Sequence, residues 1–155
     1  MKGQQKVIER LNARLADELT AINQYMVHAE MCEDWGYARL HEVIQKRAIG
    51  EMKHAEKLIG RILFLEGTPT VSKLNKINIG DDVEKMHKND WGAEEAAIRD
   101  YNADIALVAE LGDHGTRELL KSILLDEEEH IDWLDAQLGQ IKQIGIQNYL
   151  VEQME

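Results

Sequence analysis

Two halves of the chain repeat one arrangement of glutamates and histidines, and this repeat limits the folds that the chain can adopt. In each half a glutamate is followed 33 residues later by a second glutamate, which opens a Glu-x-x-His motif. The residues are Glu18, Glu51 and His54 in the first half, and Glu94, Glu127 and His130 in the second. Residues three apart share one face of a helix, so each motif can present both side chains to the same neighbour.

The glutamates and histidines interrupt apolar stripes that have helical spacing. The four stripes are Leu11, Leu15, Glu18, Ile22, Tyr25, Ala29 and Cys32; Ile44, Ala48, Glu51, Ala55, Leu58, Ile62 and Leu65; Glu94, Ile98, Tyr101, Ile105 and Val108; and Leu120, Ile123, Glu127, His130 and Leu134. Apolar residues at this spacing predict helices that bury one face. The four glutamates and two histidines are therefore expected in the core of one bundle.

Six polar side chains in one core indicate a metal site. A buried carboxylate without a partner is costly and tends to take up a proton, so four of them together require cations. Two helices that each give a glutamate, and two that each give Glu-x-x-His, form the ligand set of di-iron carboxylate bundles. The alternative places these residues on solvated faces, which their apolar neighbours disfavour. A further motif, Glu84-x-x-His87, has no matching partners and is interpreted as surface.

The sequence predicts an all-α fold with four long helices and a short fifth one, in a single domain that spans residues 1–155. The predicted helices cover 4–34, 37–66, 82–111, 116–144 and 146–153, with Asp81 or Asp82 and Thr116 as N-caps. Short links make the first two helices, and the next two, antiparallel neighbours. The link from 67 to 80 could run the length of the bundle, as in the one-crossover topology of ferritin-like folds.

Composition and charge exclude several classes of function. The net charge is −11, from 18 basic and 29 acidic residues, and no basic stripe is present, so nucleic-acid binding is not expected. Cys32 is the single cysteine, so no intrachain disulfide forms, and its place on an apolar stripe predicts a core position. Neither a signal peptide nor an apolar membrane span is found, and a cytoplasmic location is expected.

At these residues the chain resembles the bacterioferritins, over nearly its whole length. The resemblance also rests on Met1-Lys2-Gly3, Glu33-Asp34-Trp35-Gly36, Glu51-Met52-Lys53-His54-Ala55, Arg61-Ile62-Leu63-Phe64-Leu65-Glu66-Gly67, Glu128-Glu129-His130-Ile131-Asp132-Trp133-Leu134 and Asn148-Tyr149-Leu150. It implies an iron-storage subunit that oxidises Fe(II) with O2 or H2O2 at a di-iron ferroxidase centre. The ferric mineral would be stored in a hollow homo-oligomeric shell of twenty-four subunits.

The resemblance implies a role for each residue of the repeat. Glu51 and Glu127 would bridge two iron ions, Glu18 and His54 would complete the ligands of one ion, and Glu94 and His130 those of the other. Tyr25 would act behind these ligands as a hydrogen-bond donor or as a one-electron donor. The alternative for Tyr25 is a packed aromatic side chain whose hydroxyl has found a partner.

Met52 lies off the apolar stripe, next to Glu51. In the bacterioferritins a methionine at this place is an axial haem ligand, and two subunits each give one thioether to a haem at their two-fold interface. The resemblance therefore implies one haem per subunit pair, which would serve electron transfer for iron release, with a ferredoxin-type protein as donor. A lone methionine otherwise fills gaps in packing or interfaces. Lys46 and Gly50 depart from the family pattern, since many members have a histidine and an aspartate there for an auxiliary iron site.

The other histidines and most of the acidic run at the second Glu-x-x-His motif lie outside the repeat. Surface positions or subunit contacts are predicted for His28, His41, His87 and His114, and the acidic run 126–129 is predicted to be solvated apart from Glu127.

Two other functions would require a different sequence. A di-iron peroxidase of the rubrerythrin kind usually adds a Cys-x-x-Cys module, which a chain with one cysteine lacks. A non-catalytic shell or haem-carrying subunit would have lost a ligand, and all six residues are present.

Overall fold

A computed structural model describes residues 1–155 and contains five α-helices and no β-strand. The helices are α1 (Gln5–Asp34), α2 (Ala38–Phe64), α3 (Val83–Glu110), α4 (His114–Ile144) and α5 (Ile146–Val151). α1 packs mainly against α2, and α3 packs mainly against α4. The predicted all-α fold of four long helices and a short fifth one is confirmed. None of these helices has the length and apolar character that a membrane span requires.

The helix ends agree with the sequence at most boundaries and differ at the start of α4. Asp82 is the N-cap of α3, and its carboxylate accepts a hydrogen bond from the backbone N–H of Lys85 at 2.8 Å. The prediction of Thr116 as N-cap of α4 was wrong, because Asp113 holds that position and accepts the backbone N–H of Thr116 at 3.0 Å. Asp113 also pairs with Arg61 of α2 at 3.0 Å, so the cap ties α4 to a second helix.

The segment between α2 and α3 forms the long crossover. Its backbone N–H groups donate to side chains of α1 in four places: Thr70 to Asn12, Asn75 to Thr20, Asn78 to Gln24 and Gly80 to His28. Residue numbers rise together on both sides of this ladder, so the segment runs parallel to α1. It therefore carries the chain to the far end of α1, where α3 begins. Gly80 suits this junction, because a Cβ there would lie 2.4 Å from the backbone nitrogen of Met86.

The apolar core of the bundle consists of two clusters. In α1 the first cluster takes residues from Val7 to Leu15, and the second takes residues from Tyr25 to Cys32. Glu18 lies between these two stretches. In α2 the order is reversed, because residues 40–48 belong to the second cluster and 55–65 to the first. Glu51 and His54 again fall in the gap, so the polar residues form a layer between the two apolar ends of the bundle.

Candidate metal centre

All six glutamates and histidines of the repeat are buried in this polar layer. Their exposed fractions lie between 1% and 8%. They form two groups of four whose donor atoms lie within 4.8 Å of one another. One group is Glu18, Glu51, His54 and Glu127, and the other is Glu51, Glu94, Glu127 and His130. Because both groups contain Glu51 and Glu127, the geometry can accommodate a pair of cations that share two carboxylates.

Both histidines turn their Nδ1 atoms toward these carboxylates. His54 Nδ1 lies 3.1 Å from Glu127 Oε1 and 3.2 Å from Glu51 Oε2. His130 Nδ1 lies 2.7 Å from Glu94 Oε1. Glu18 and Glu94 are the outer glutamates, because each belongs to only one of the two groups. Their Oε2 atoms are buried and have no hydrogen-bond partner. Buried polar atoms in folded proteins are normally satisfied, and one cation bound in each group would satisfy these oxygens.

Two tyrosines connect the halves of the centre crosswise. Tyr25 of α1 donates a hydrogen bond to Glu94 of α3, and Tyr101 of α3 donates one to Glu18 of α1. Each hydroxyl therefore holds the carboxylate of the opposite helix. The hydrogen bond of Tyr25 agrees with both interpretations of this residue, the donor behind the ligands and the packed aromatic side chain, so its functional role stays a prediction. Tyr101 has an equivalent place, which was indicated by the repeated Glu–Tyr spacing of seven residues in α1 and α3.

Asp126 contacts His54 on the side of the ring that faces away from the carboxylates. Asp126 Oδ2 lies 2.8 Å from His54 Nε2, and the Asp126 side chain is 48% exposed. Asp126 is therefore half-exposed, as the prediction of a mostly solvated face allows, and its contact with His54 was not predicted. A carboxylate on the second nitrogen of a histidine fixes the ring orientation and leaves the first nitrogen free for a metal. The contact joins α2 to α4 and has no signature in the local sequence.

Arg47 is a second functional residue that the sequence did not reveal. Its Nη2 atom lies 2.9 Å from Glu51 Oε1 and 3.1 Å from Glu127 Oε2, the two glutamates that both groups share. The same Nη2 atom lies 3.3 Å from the backbone oxygen of Asp126. Arg47 precedes Glu51 by four residues on α2, and this spacing was the signal that could have indicated the ion pair.

Burial and the crowded negative charges shift the pKa values of the centre. Burial, together with the charge of Glu51, raises the pKa of Glu18 well above its usual range. Burial and the charge of Glu127 raise the pKa of Glu94 in the same way. Burial favours the neutral form of His54, but the nearby carboxylates of Glu127, Glu18 and Glu51 outweigh it and raise the pKa of that ring to about 12. Protons thus offset part of the negative charge, and bound cations would displace them.

Cavities approach the centre from two sides. The first, of about 380 Å³, is lined by α1, α3 and the crossover and contains all four glutamates in its wall. Asp17 and Asp100 also line it, so this wall is rich in acidic groups. The second, of about 270 Å³, lies between α2 and α4 and reaches His130. Lys46 and Arg47 line the second cavity together with Asp90 and Glu129, so basic and acidic residues are balanced there.

Met52 lies outside the centre, on the surface of α2. Its side chain is 45% exposed, and Ile49, three residues earlier on the same helix face, is 43% exposed. An exposed thioether beside an exposed apolar side chain fits a flat apolar ligand shared with a second copy of the chain. These two residues therefore suit the haem that the sequence resemblance implied, and the ligand role of Met52 stays a prediction.

The surface prediction was wrong for two of the remaining histidines. His28 is fully buried, with Nδ1 2.9 Å from Asp90 Oδ1 and Nε2 accepting the backbone N–H of Gly80 at 3.0 Å. His87 is also fully buried, and its Nε2 lies 3.0 Å from the hydroxyl of Tyr149 in α5. These rings are buried because the crossover packs over His28 and α5 packs over His87. His114 is exposed and His41 is partly exposed, in agreement with the prediction.

Comparison with known proteins gives similarity over nearly the whole chain. A family model described as "Ferritin: Ferritin-like domain" matches residues 8–144. A bacterioferritin from Brucella melitensis is 42% identical over 149 residues, which are 96% of this chain and 92% of that protein. A bacterial ferritin from Paramagnetospirillum magnetotacticum is 45% identical over 97% of this chain and 93% of its own length. A bacterial ferritin from Synechocystis sp. is 41% identical over 99% of both chains.

Proposed function

The chain belongs to the ferritin family and to its bacterioferritins, and on this premise we propose that it takes up Fe(II), oxidises it inside the bundle and stores the ferric product. The observation that carries the proposal is the pair of overlapping groups that share Glu51 and Glu127. Carboxylate and imidazole donors together suit iron that must react with an oxidant. The names of the relatives support storage as the purpose of the reaction.

In the proposed reaction the six residues bind two Fe(II) ions, which are the substrate. Glu18 and His54 would bind one ion, Glu94 and His130 the other, and Glu51 and Glu127 both. Each ion gives up one electron; the two electrons and two protons convert O2 to H2O2, or H2O2 to two water molecules.

The residues around the six keep these donors in place. Tyr101 and Tyr25 hold the outer carboxylates through their hydroxyl groups. Asp126 holds the His54 ring with Nδ1 turned inward. Donors that are already oriented need no rearrangement when the substrate binds, which favours fast reaction.

Storage and release of iron would require several copies of the chain. The ferric product would collect as mineral in a hollow shell of twenty-four copies, as the family resemblance suggests. Met52 would hold haem between two copies, and the bound haem would supply electron transfer for reduction of the mineral. A ferredoxin-type protein would deliver those electrons. The exposed Met52 and Ile49 are the residues of this chain that support the haem assignment.

Aerobic addition of Fe(II) to the iron-depleted protein tests the proposed function. Oxidation and the size of the soluble iron-bearing particle are both followed. We expect a fast phase that consumes about two Fe(II) per chain, and further iron that elutes with a large assembly. Oxidation no faster than in buffer with O2, and again with H2O2, would contradict the ferroxidase and favour a non-catalytic shell.

A further inference from the structure

Arg47 places a positive charge where a metal ion would otherwise supply it. Its Nη2 atom contacts Glu51 Oε1 at 2.9 Å and Glu127 Oε2 at 3.1 Å, while its side chain is only 17% exposed. Glu51 and Glu127 are 1% exposed, so the ion pairs lie in a poorly hydrated environment. Attraction between opposite charges is much stronger there than in water.

The two cavities define the side of the centre on which Arg47 lies. Glu51 and Glu127 line the cavity between α1 and α3 and do not line the second cavity. Arg47 lines the cavity between α2 and α4 and does not line the first. The guanidinium group therefore lies between the second cavity and the carboxylates of Glu51 and Glu127. It covers the side of these carboxylates that faces away from the first cavity.

We propose that Arg47 is a built-in counter-ion that occupies the shared carboxylates in the metal-free centre and competes with incoming divalent cations for Glu51 and Glu127. The inference rests on the proposed function, because it takes these two glutamates as the shared ligands. A cation that binds both glutamates places its charge close to the guanidinium group. The attraction that holds Arg47 is then lost, and Arg47 turns toward the second cavity.

The wall of the second cavity offers Arg47 an alternative partner. Glu129 lines the same cavity as Arg47 and is exposed, so this cavity has a carboxylate in its wall that is free of the buried centre. Movement of one long side chain toward solvent is sufficient, and the helices need not shift. Arg47 thus stabilises the empty centre and lowers its affinity for metal by the same contacts.

Binding of Co²⁺ to the metal-free protein, measured by calorimetry under anaerobic conditions, tests this competition without any oxidation. The variants are Arg47→Gln, which removes the charge, and Arg47→Lys, which keeps the charge on a shorter side chain with a more strongly hydrated ammonium group. Lys46→Gln is the matched control. Lys46 is the neighbouring exposed residue, lines the same cavity and forms no ion pair with the glutamates.

We expect Arg47→Gln to bind Co²⁺ at least about tenfold more tightly than the original chain, with Arg47→Lys between them and Lys46→Gln unchanged. A folded Arg47→Gln protein with equal or weaker affinity would overturn the inference while leaving the proposed function intact. If that variant does not fold, Arg47→Lys decides, and unchanged or weaker binding by it overturns the inference. Absence of Co²⁺ binding by the original chain, the control and both Arg47 variants would overturn the inference and the proposed function together.

Discussion

Asp126 Oδ2 lies 2.8 Å from His54 Nε2, on the side of the imidazole ring opposite the buried carboxylates. This contact gives His54 one orientation, in which Nδ1 faces Glu51 and Glu127. Asp126 stands next to Glu127 in α4, so one turn of that helix supplies both a carboxylate of the centre and the partner of the ring on α2.

Asp126→Ala should lower the affinity of the metal-free protein for Co²⁺ by about 10- to 100-fold, because the His54 ring loses the partner that orients it. Calorimetric titration measures the effect. Glu128→Ala is the matched control, since Glu128 is an exposed acidic residue of the same run and does not contact the ring. Equal affinities in the two variants would show that Asp126 does not position His54.

Tyr25→Phe and Tyr101→Phe should each lower the free energy of unfolding of the metal-free protein by about 1–3 kcal/mol, because a buried glutamate loses its hydroxyl donor. The two losses should be similar, since the hydrogen bonds are equivalent in the two halves. Denaturant unfolding measures both. Tyr37→Phe is the control, because the Tyr37 hydroxyl forms no hydrogen bond within the chain. A Tyr25→Phe protein as stable as this control would argue against the hydrogen-bond role.

The buried His87 ring should make the fold sensitive to mild acid. Burial lowers the pKa of His87 from 6.5 to about 4, so the folded chain keeps the ring neutral where the unfolded chain takes up a proton. Above pH 6.5 both states are neutral and the ring has no effect on the pH dependence. As the pH falls toward 4, the unfolded state gains protons first, and stability decreases by about 3 kcal/mol.

The variant His87→Gln isolates this effect, because glutamine does not titrate and can still bond to the Tyr149 hydroxyl. Denaturant midpoints of both proteins are compared at about pH 7 and about pH 4.5. The original chain should lose more stability than the variant over this interval. Identical pH dependence in the two proteins would mean that His87 does not contribute to acid sensitivity.

Met52→Leu should abolish the optical spectrum of haem held by two thioethers, because leucine keeps the apolar side chain but has no sulfur atom. Haem is added to the purified protein and the spectrum is recorded with Met154→Leu as control. Met154 is likewise exposed, at 58%, but lies at the C-terminal end of the chain. An unchanged spectrum in the Met52→Leu protein would exclude Met52 as the axial ligand.

Periodicity was sufficient to predict the helices and the layer of six polar residues, because both depend on local spacing along the chain. Glu18 could be placed in the core from the apolar residues before and after it, and Glu94 from the apolar residues that follow it. The cap of α4 was placed three residues too late. Asp113 and Thr116 both favour N-caps, and the additional contact of Asp113 with Arg61 that selects it comes from another helix.

Contacts between helices could not be predicted in the same way. Arg47, Asp126 and His87 resemble ordinary polar surface residues when each is considered with its sequence neighbours. Their partners on other helices are brought near only by the way α2 packs with α4, and α3 with α5. His87 is buried because α5 covers it with Tyr149, and a six-residue helix leaves little periodic signal for its docking position.

The most direct test of the account is the initial rate of Fe(II) oxidation in Glu94→Ala compared with Glu95→Ala. Glu94 is buried beside His130, whereas Glu95 is its exposed neighbour on the same helix. We expect Glu94→Ala to lose the fast phase, because one of the two ions loses an outer carboxylate, and Glu95→Ala to retain it. Equally fast oxidation in both variants would contradict the assignment of the buried layer as the site where Fe(II) is oxidised.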